Sequence, residues 1–164
     1  MASGSLKELY LDELGDLYDT ETQRILTLTS LAEAAQSPEL RETLLRQCVQ
    51  ARLRIERLDL IFTHWGAARP TRRSTAMAAI VQQADGRVHE HPTDTRDAAI
   101  VGIAYRIAHY EMAAYDSARL YARWLNRLDD VRLLEEALNE EVRGVKRLTD
   151  IAETHVASSF RPAA

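Results

Sequence analysis

DAAIVGIAYRIAHYEMAAYDSARLYARWL, residues 97–125, decides the fold. It contains no proline and one glycine, and Ile100, Ala104, Ile107, Ala114, Ala118, Tyr121 and Leu125 recur every three or four residues. That is the period of a helix buried along one face. Glu111 falls in register with the same stripe, where an apolar residue is expected.

The rest of the chain repeats this pattern. A helix over 6–35 has Leu14, Leu17, Glu21, Ile25, Leu28, Leu31 and Ala35 inward, and Ser37-Pro38 both ends it and opens the next as N-cap and N1. A second helix over 38–65 has the stripe Leu44, Cys48, Ala51, Ile55, Leu58, Phe62 and Trp65, with Gly66 as its stop. A final helix over 131–155 has Val131, Leu134, Leu138, Glu141, Val145, Leu148 and Ala152 inward. Residues 67–94 differ. The basic stretch ARPTRRS is a linker, residues 75–84 form a short helix on Met77, Ile80 and Val81, Asp85-Gly86 ends it, and HEHPTD is a loop. So long a connection carries the chain the length of a bundle and lets the second and third long helices run parallel, whereas the short turn at 126–130 makes the last two antiparallel. The expected fold class is therefore all-α, a four-helix bundle with an additional short helix between helices 2 and 3. The bundle spans 6–155, between a disordered start at 1–5 and a flexible tail at 156–164.

Composition narrows the function. With 25 acidic and 21 basic residues the net charge is −4, which argues against a general nucleic-acid binder. The cluster Arg69, Arg72 and Arg73 is too small to reverse that. No apolar run approaches the length of a membrane span and no secretory leader is visible, so a cytoplasmic protein is expected. The lone Cys48 reads as a reduced core thiol.

Glu21, Glu111 and Glu141 each sit near the middle of a different helix, on its inward face. With the helices aligned, the three carboxylates share one layer. A buried, unpaired carboxylate costs several kcal/mol, so it takes up a proton, a cationic partner or a metal ion. Oxygen ligands suit iron, manganese, calcium or magnesium. The second helix offers neither carboxylate nor imidazole at that level. Its middle reads QCVQARLR, 47–54, and Arg54 supplies an alternative in which a guanidinium stands in for the metal's charge. His109 points away from Glu111 on a helix, His89 and His91 read as solvated, and no tyrosine is singled out.

ELGDLYDTETQ (13–23), SPELRETL (37–44), IERLDLIF (55–62), DAAIVGIAYRIAHYEMAAY (97–115) and LNEEVRGVKRLTDIA (138–152) together resemble the YciE/YciF family of ferritin-like bacterial stress proteins. The resemblance covers nearly the whole chain. It implies a ferritin-like bundle, commonly dimeric, with a di-metal site and a part in stress response. It implies metal-ligand roles for Glu21, Glu111 and Glu141, with Glu140 also matching the pattern. The departures are Gln47 in place of histidine, Gln50-Ala51 in place of Glu-Thr, Ala108 in place of glutamate and Gly144-Val145 in place of Thr-Asp.

About half of a di-iron ligand set is thus retained. The resulting expectation is a stress-associated bundle with a partly degraded carboxylate site for iron or another divalent metal. Its role would be structural or interactive rather than enzymatic, as a homodimer or the partner of a paralogue. One alternative is an active di-iron oxidase or ferroxidase-like protein. The other is a metal-free interaction bundle with an Arg-carboxylate core layer, in which Glu21→Leu or Glu141→Leu would be stabilising if the charge has no use.

Overall fold

The computed structural model describes residues 5–69 and 71–160. Five α-helices follow one another: α1 (Leu6–Ala34), α2 (Pro38–His64), α3 (Thr75–Glu90), α4 (Thr93–Trp124) and α5 (Leu128–Ile151). A π-helical turn (Ala152–Val156) and a 3-10 turn (Ala157–Phe160) extend α5. The expected all-α bundle of four long helices with a shorter fifth is what forms.

Local chemistry sets the boundaries. Ser5, expected in a disordered start, instead N-caps α1: its Oγ accepts from Glu8 N (3.2 Å) and its own N donates to Glu8 Oε2 (2.7 Å). Residues 1–4 and 161–164, the outer parts of the expected start and tail, lie outside the described residues. Ser37 caps α2 by accepting from Leu40 N, with Pro38 in the first turn. Gly66 takes the left-handed conformation that closes α2, φ +57°, and Asn126 does so between α4 and α5 at φ 56°.

Two expected boundaries move. α3 runs through Asp85-Gly86 to Glu90, so His89 is helical rather than in a loop. A helical glycine costs roughly 1 kcal/mol relative to alanine, and here buried Ala84 and half-buried Val88 pack against the core on either side of Gly86. α4 begins at Thr93 rather than at Asp97. Asp97 serves another helix: its carboxylate accepts from Gln36 N and Ser37 N, both at 2.8 Å, at the entry to α2. The chain also stays helical past 155, and Val156 is buried against the core.

Asp97 also fixes topology, because it places the starts of α2 and α4 side by side. Tyr10 near the start of α1 meets Asp130 near the start of α5, and Trp65 at the end of α2 meets the same carboxylate. Hence α1 and α5 run one way, and α2 and α4 the other. The parallel pair is joined by the long crossover. α3 packs on α1 and α4, and its N-cap Ser74 is held by Asp19 (N donating to Oδ2, 2.8 Å) and Asp16 (Oγ donating to Oδ2, 3.1 Å) of α1.

The apolar interior is divided. One cluster gathers Leu28, Leu31, Leu40, Leu44, Met77, Ile100 and Ile107, with Cys48 buried among them. The other gathers Tyr10, Leu14, Leu17, Leu58, Ile61, Phe62 and Leu134. Between them lies a layer of buried charge.

Candidate functional site: an ionic layer across the bundle

The three glutamates do meet. Glu21, Glu111 and Glu141 are 0%, 0% and 2% exposed, and all reach the same level of the interior. They meet around two guanidinium groups, also buried, rather than around one another.

Arg54 of α2 engages Glu21 with both arms: Nε donates to Oε1 (2.5 Å) and Nη2 to Oε2 (3.2 Å). The same Nη2 lies 2.8 Å from Glu141 Oε1. Arg24 of α1 donates through Nη1 to Glu111 Oε2 and, at 2.6 Å, to Glu141 Oε1, so that Glu141 bridges both arginines. Arg24 Nη2 donates to Gln47 Oε1 (3.1 Å). Tyr115 Oη, also buried, donates to Glu21 Oε1 (2.7 Å). At the edge, Glu140 takes a two-armed contact from Arg57 (2.7 and 2.9 Å). Planar guanidinium and planar carboxylate match in such pairs, which is why arginine and not lysine occupies them.

Three carboxyls and two guanidiniums would leave one negative charge if all were ionised. Burial answers this at Glu111. Loss of water pushes its carboxyl well above the usual range, against the pull of Arg24. Glu111 Oε1 has no hydrogen-bond partner among the described residues and is a ready seat for the proton. Burial alone disfavours the Arg54 charge, but Glu21 and Glu141 outweigh it and hold that guanidinium charged. Tyr115 is held neutral by burial and then by Glu21.

This donor set does not fit a metal ion. Both oxygens of Glu21, one of Glu111 and one of Glu141 already accept from guanidinium. A divalent ion here would sit within a few ångströms of two fixed positive charges. Among the described residues, two oxygens, Glu111 Oε1 and Glu141 Oε2, and two guanidinium nitrogens, Arg24 Nε and Arg54 Nη1, have no hydrogen-bond partner, and Arg54 Nη1 lies 3.7 Å from Glu140 Oε2. Among the described residues, no group of three or more His, Cys, Asp or Glu side chains could hold a metal ion. His109 is exposed, and Ala108 and Gly144 bring no ligand to the layer.

The reading of the sequence found Arg54 but missed Arg24 and Tyr115. Arg24 sits three residues after Glu21 and four before Leu28, so it continues the stripe 14, 17, 21, 24, 28, 31, all buried, whereas Ile25 is only half-buried. Tyr115 lies one turn after Glu111 on the same face.

A second centre, built on a fourth buried carboxylate, was not legible in the sequence. Asp130, expected in the turn before the last helix, is 1% exposed in the first turn of α5. Its Oδ2 accepts from Trp65 Nε1 (2.8 Å) and Tyr10 Oη (3.3 Å), and its Oδ1 lies 3.3 Å from His64 Nδ1. Arg127 stands 3.5 Å away, its guanidinium over the Trp65 ring.

Comparison with known proteins places this architecture. The chain is 27% identical to the protein YciF of Escherichia coli (strain K12) over 154 residues, 93% of each. Among solved structures it superposes on YcfI of Rhodopseudomonas palustris, described as a candidate structural protein, with TM-score 0.86 and 31% identity, over 89% of this chain and 94% of that one. The crystal structure of the E. coli stress protein YciF gives TM-score 0.88 at 24% identity, over 98% and 100% of the two chains, a likeness of fold. The family model described as "Domain of unknown function (DUF892)" matches residues 5–160, and by that match across nearly its whole length the chain belongs to this YciF-type family.

Proposed function

We propose that this protein is a metal-free, structural or interaction member of the YciF-type stress proteins, in which two arginines hold the carboxylate layer that the ferritin-like resemblance would assign to metal. The observation that carries the reading is the placement of Arg24 and Arg54. Each guanidinium lies against two of the three interior glutamates, so the charge that an ion would supply is already present. The replacement of a family histidine by Gln47 supports it, since the Gln47 carbonyl is used in accepting from Arg24. In this reading the bundle is a scaffold that works in the cytoplasm by association with a second copy of itself or with a paralogue.

Elemental analysis and native mass spectrometry after anaerobic loading with ferrous iron test it. The expected result is no stoichiometric metal and a melting temperature unmoved by chelator. Two tightly held irons per chain, or iron-dependent oxygen consumption that Glu111→Ala abolishes, would overturn the proposal and favour the oxidase alternative.

A further inference from the structure

Between α2 and α5 an open groove of about 480 Å³ leads from the surface down to the ionic layer. Its walls carry Arg46, Arg143 and Arg147, its floor is Gln47 and Gly144, and among the described residues no carboxylate lines it. That is an unusual collection on a chain of net charge −4. Among the described residues Arg46 pairs with Glu42 alone, on its own helix surface, a solvated contact that holds little. Arg143 and Arg147 lie one turn apart on α5, exposed, and enter no ion pair among the described residues. Like charges at that spacing repel, so the helix gains nothing from them by itself.

The floor is the more telling part. Gln47 is 5% exposed. Arg24 donates to its Oε1 at 3.1 Å, and a guanidinium has no acceptor to offer, so this contact fixes which end of the amide faces inward. Nε2 is turned the other way, toward Gly144, 3.7 Å from where a Cβ on that glycine would stand. It has no acceptor among the described residues. The Nε2 atom opens onto the groove rather than being sealed in the interior, and the missing side chain of Gly144 leaves the approach to it clear.

We propose that this groove is a binding site for a small multivalent oxyanion, of the phosphate or carboxylate type. One anion oxygen accepts from Gln47 Nε2 at the floor, and Arg143, Arg147 and Arg46 neutralise the remaining charge. The volume suits a ligand of small-molecule size, and guanidinium groups around a polar donor are the pairing that phosphate and carboxylate oxygens take. The inference rests on the metal-free reading in that Arg24 orients Gln47, and iron loading tests that reading separately from the anion titration below.

The test is an NMR titration of the ¹⁵N-labelled full chain with inorganic pyrophosphate and, separately, citrate, at fixed ionic strength. The Gln47 side-chain amide resonances are followed. Saturable displacement by at least one anion is expected, and the arm that saturates distinguishes a phosphate from a carboxylate source. The double variant R143E/R147E, both exposed, should weaken binding by at least about fivefold, while R52E, on α2 outside the groove, should leave it within about twofold. Gly144→Ala, whose Cβ meets Gln47 at an ordinary contact distance, should keep the fold and remove the Gln47 response. The proposal is overturned by the absence of saturation with either anion. An R143E/R147E variant that loses less than about fivefold, or no more than R52E loses, overturns it too, as does a G144A protein with an unchanged Gln47 response.

Discussion

Two buried carboxylate centres are accommodated in this bundle by opposite means. In the central layer, Glu21, Glu111 and Glu141 face guanidinium groups that are themselves 1% exposed, so both signs of charge have left water. At the bundle's end, Asp130 is equally buried, but its closest donor, Trp65 Nε1, is neutral, as is Tyr10 Oη, and the charged or ionisable neighbours His64 and Arg127 remain 42% and 36% exposed. The first centre depends on every partner being present, because removing one strands a charge in a low-dielectric interior. The second leans on hydrogen bonds and on the positive end of α5, and water can reach its rim. The lesson is that burial of a carboxylate says little until its partner's burial is known.

The largest expected effect separates the two centres. Arg54→Leu leaves Glu21 and Glu141 without their shared cation, and urea denaturation should show a loss of about 3–5 kcal/mol. Replacing the whole layer by apolar residues of matching volume should instead be neutral or stabilising, because no orphan remains. A large loss in the concerted variant would show that the layer contributes net stability. By the same logic Glu21→Leu alone, stabilising if that charge were idle, is expected to destabilise because Arg54 is left behind.

Next in size is Asp130→Asn. The amide keeps the shape but cannot accept from all of Tyr10, Trp65 and His64, so a loss of about 1–3 kcal/mol in the same measurement is expected. A loss matching that of Arg54→Leu would erase the distinction between the centres.

The smallest effect is in the pH profile. The Glu111 carboxyl is held well above its usual range by burial, so the folded chain keeps a proton that the unfolded chain releases. The stability this gives is complete below the ordinary carboxylate pKa and is lost as pH rises through the folded value, at up to about 1.4 kcal/mol per pH unit. Glu111→Gln carries no titrating proton, so its stability should fall less steeply over that window. Parallel profiles for the two proteins would remove Glu111 as the group that balances the layer.

What could be read from the sequence followed from how rare each residue is in its setting. A single glutamate in a stripe of leucine and alanine is conspicuous, so Glu21, Glu111 and Glu141 stood out and do meet in space. Arg24 did not, because a long cationic side chain in mid-helix is ordinarily solvated with its stem lying on the surface. Ile25, one residue on, offered an apolar occupant for the same face. Arg54 was legible only as a consequence, since a layer of three carboxylates demands a cation from the remaining helix. Asp130 was hidden by its neighbours: in NRLDD, 126–130, it reads as turn chemistry, and only the closeness of Tyr10 and Trp65, 120 and 65 residues away in the chain, makes it an interior group. The extent of α3 was obscured by Asp85-Gly86, a local stop signal overridden by packing at Ala84 and Val88.

The polar belt that splits the hydrophobic interior also acts as a height gauge for the four rods. In a bundle filled with leucine throughout, sliding one helix by a turn, about 5.4 Å, exchanges one greasy neighbour for another. Here such a slip sets Leu17 or Leu28 against a guanidinium and strands a glutamate among methyl groups, so misaligned assemblies are penalised out of proportion to the area they bury.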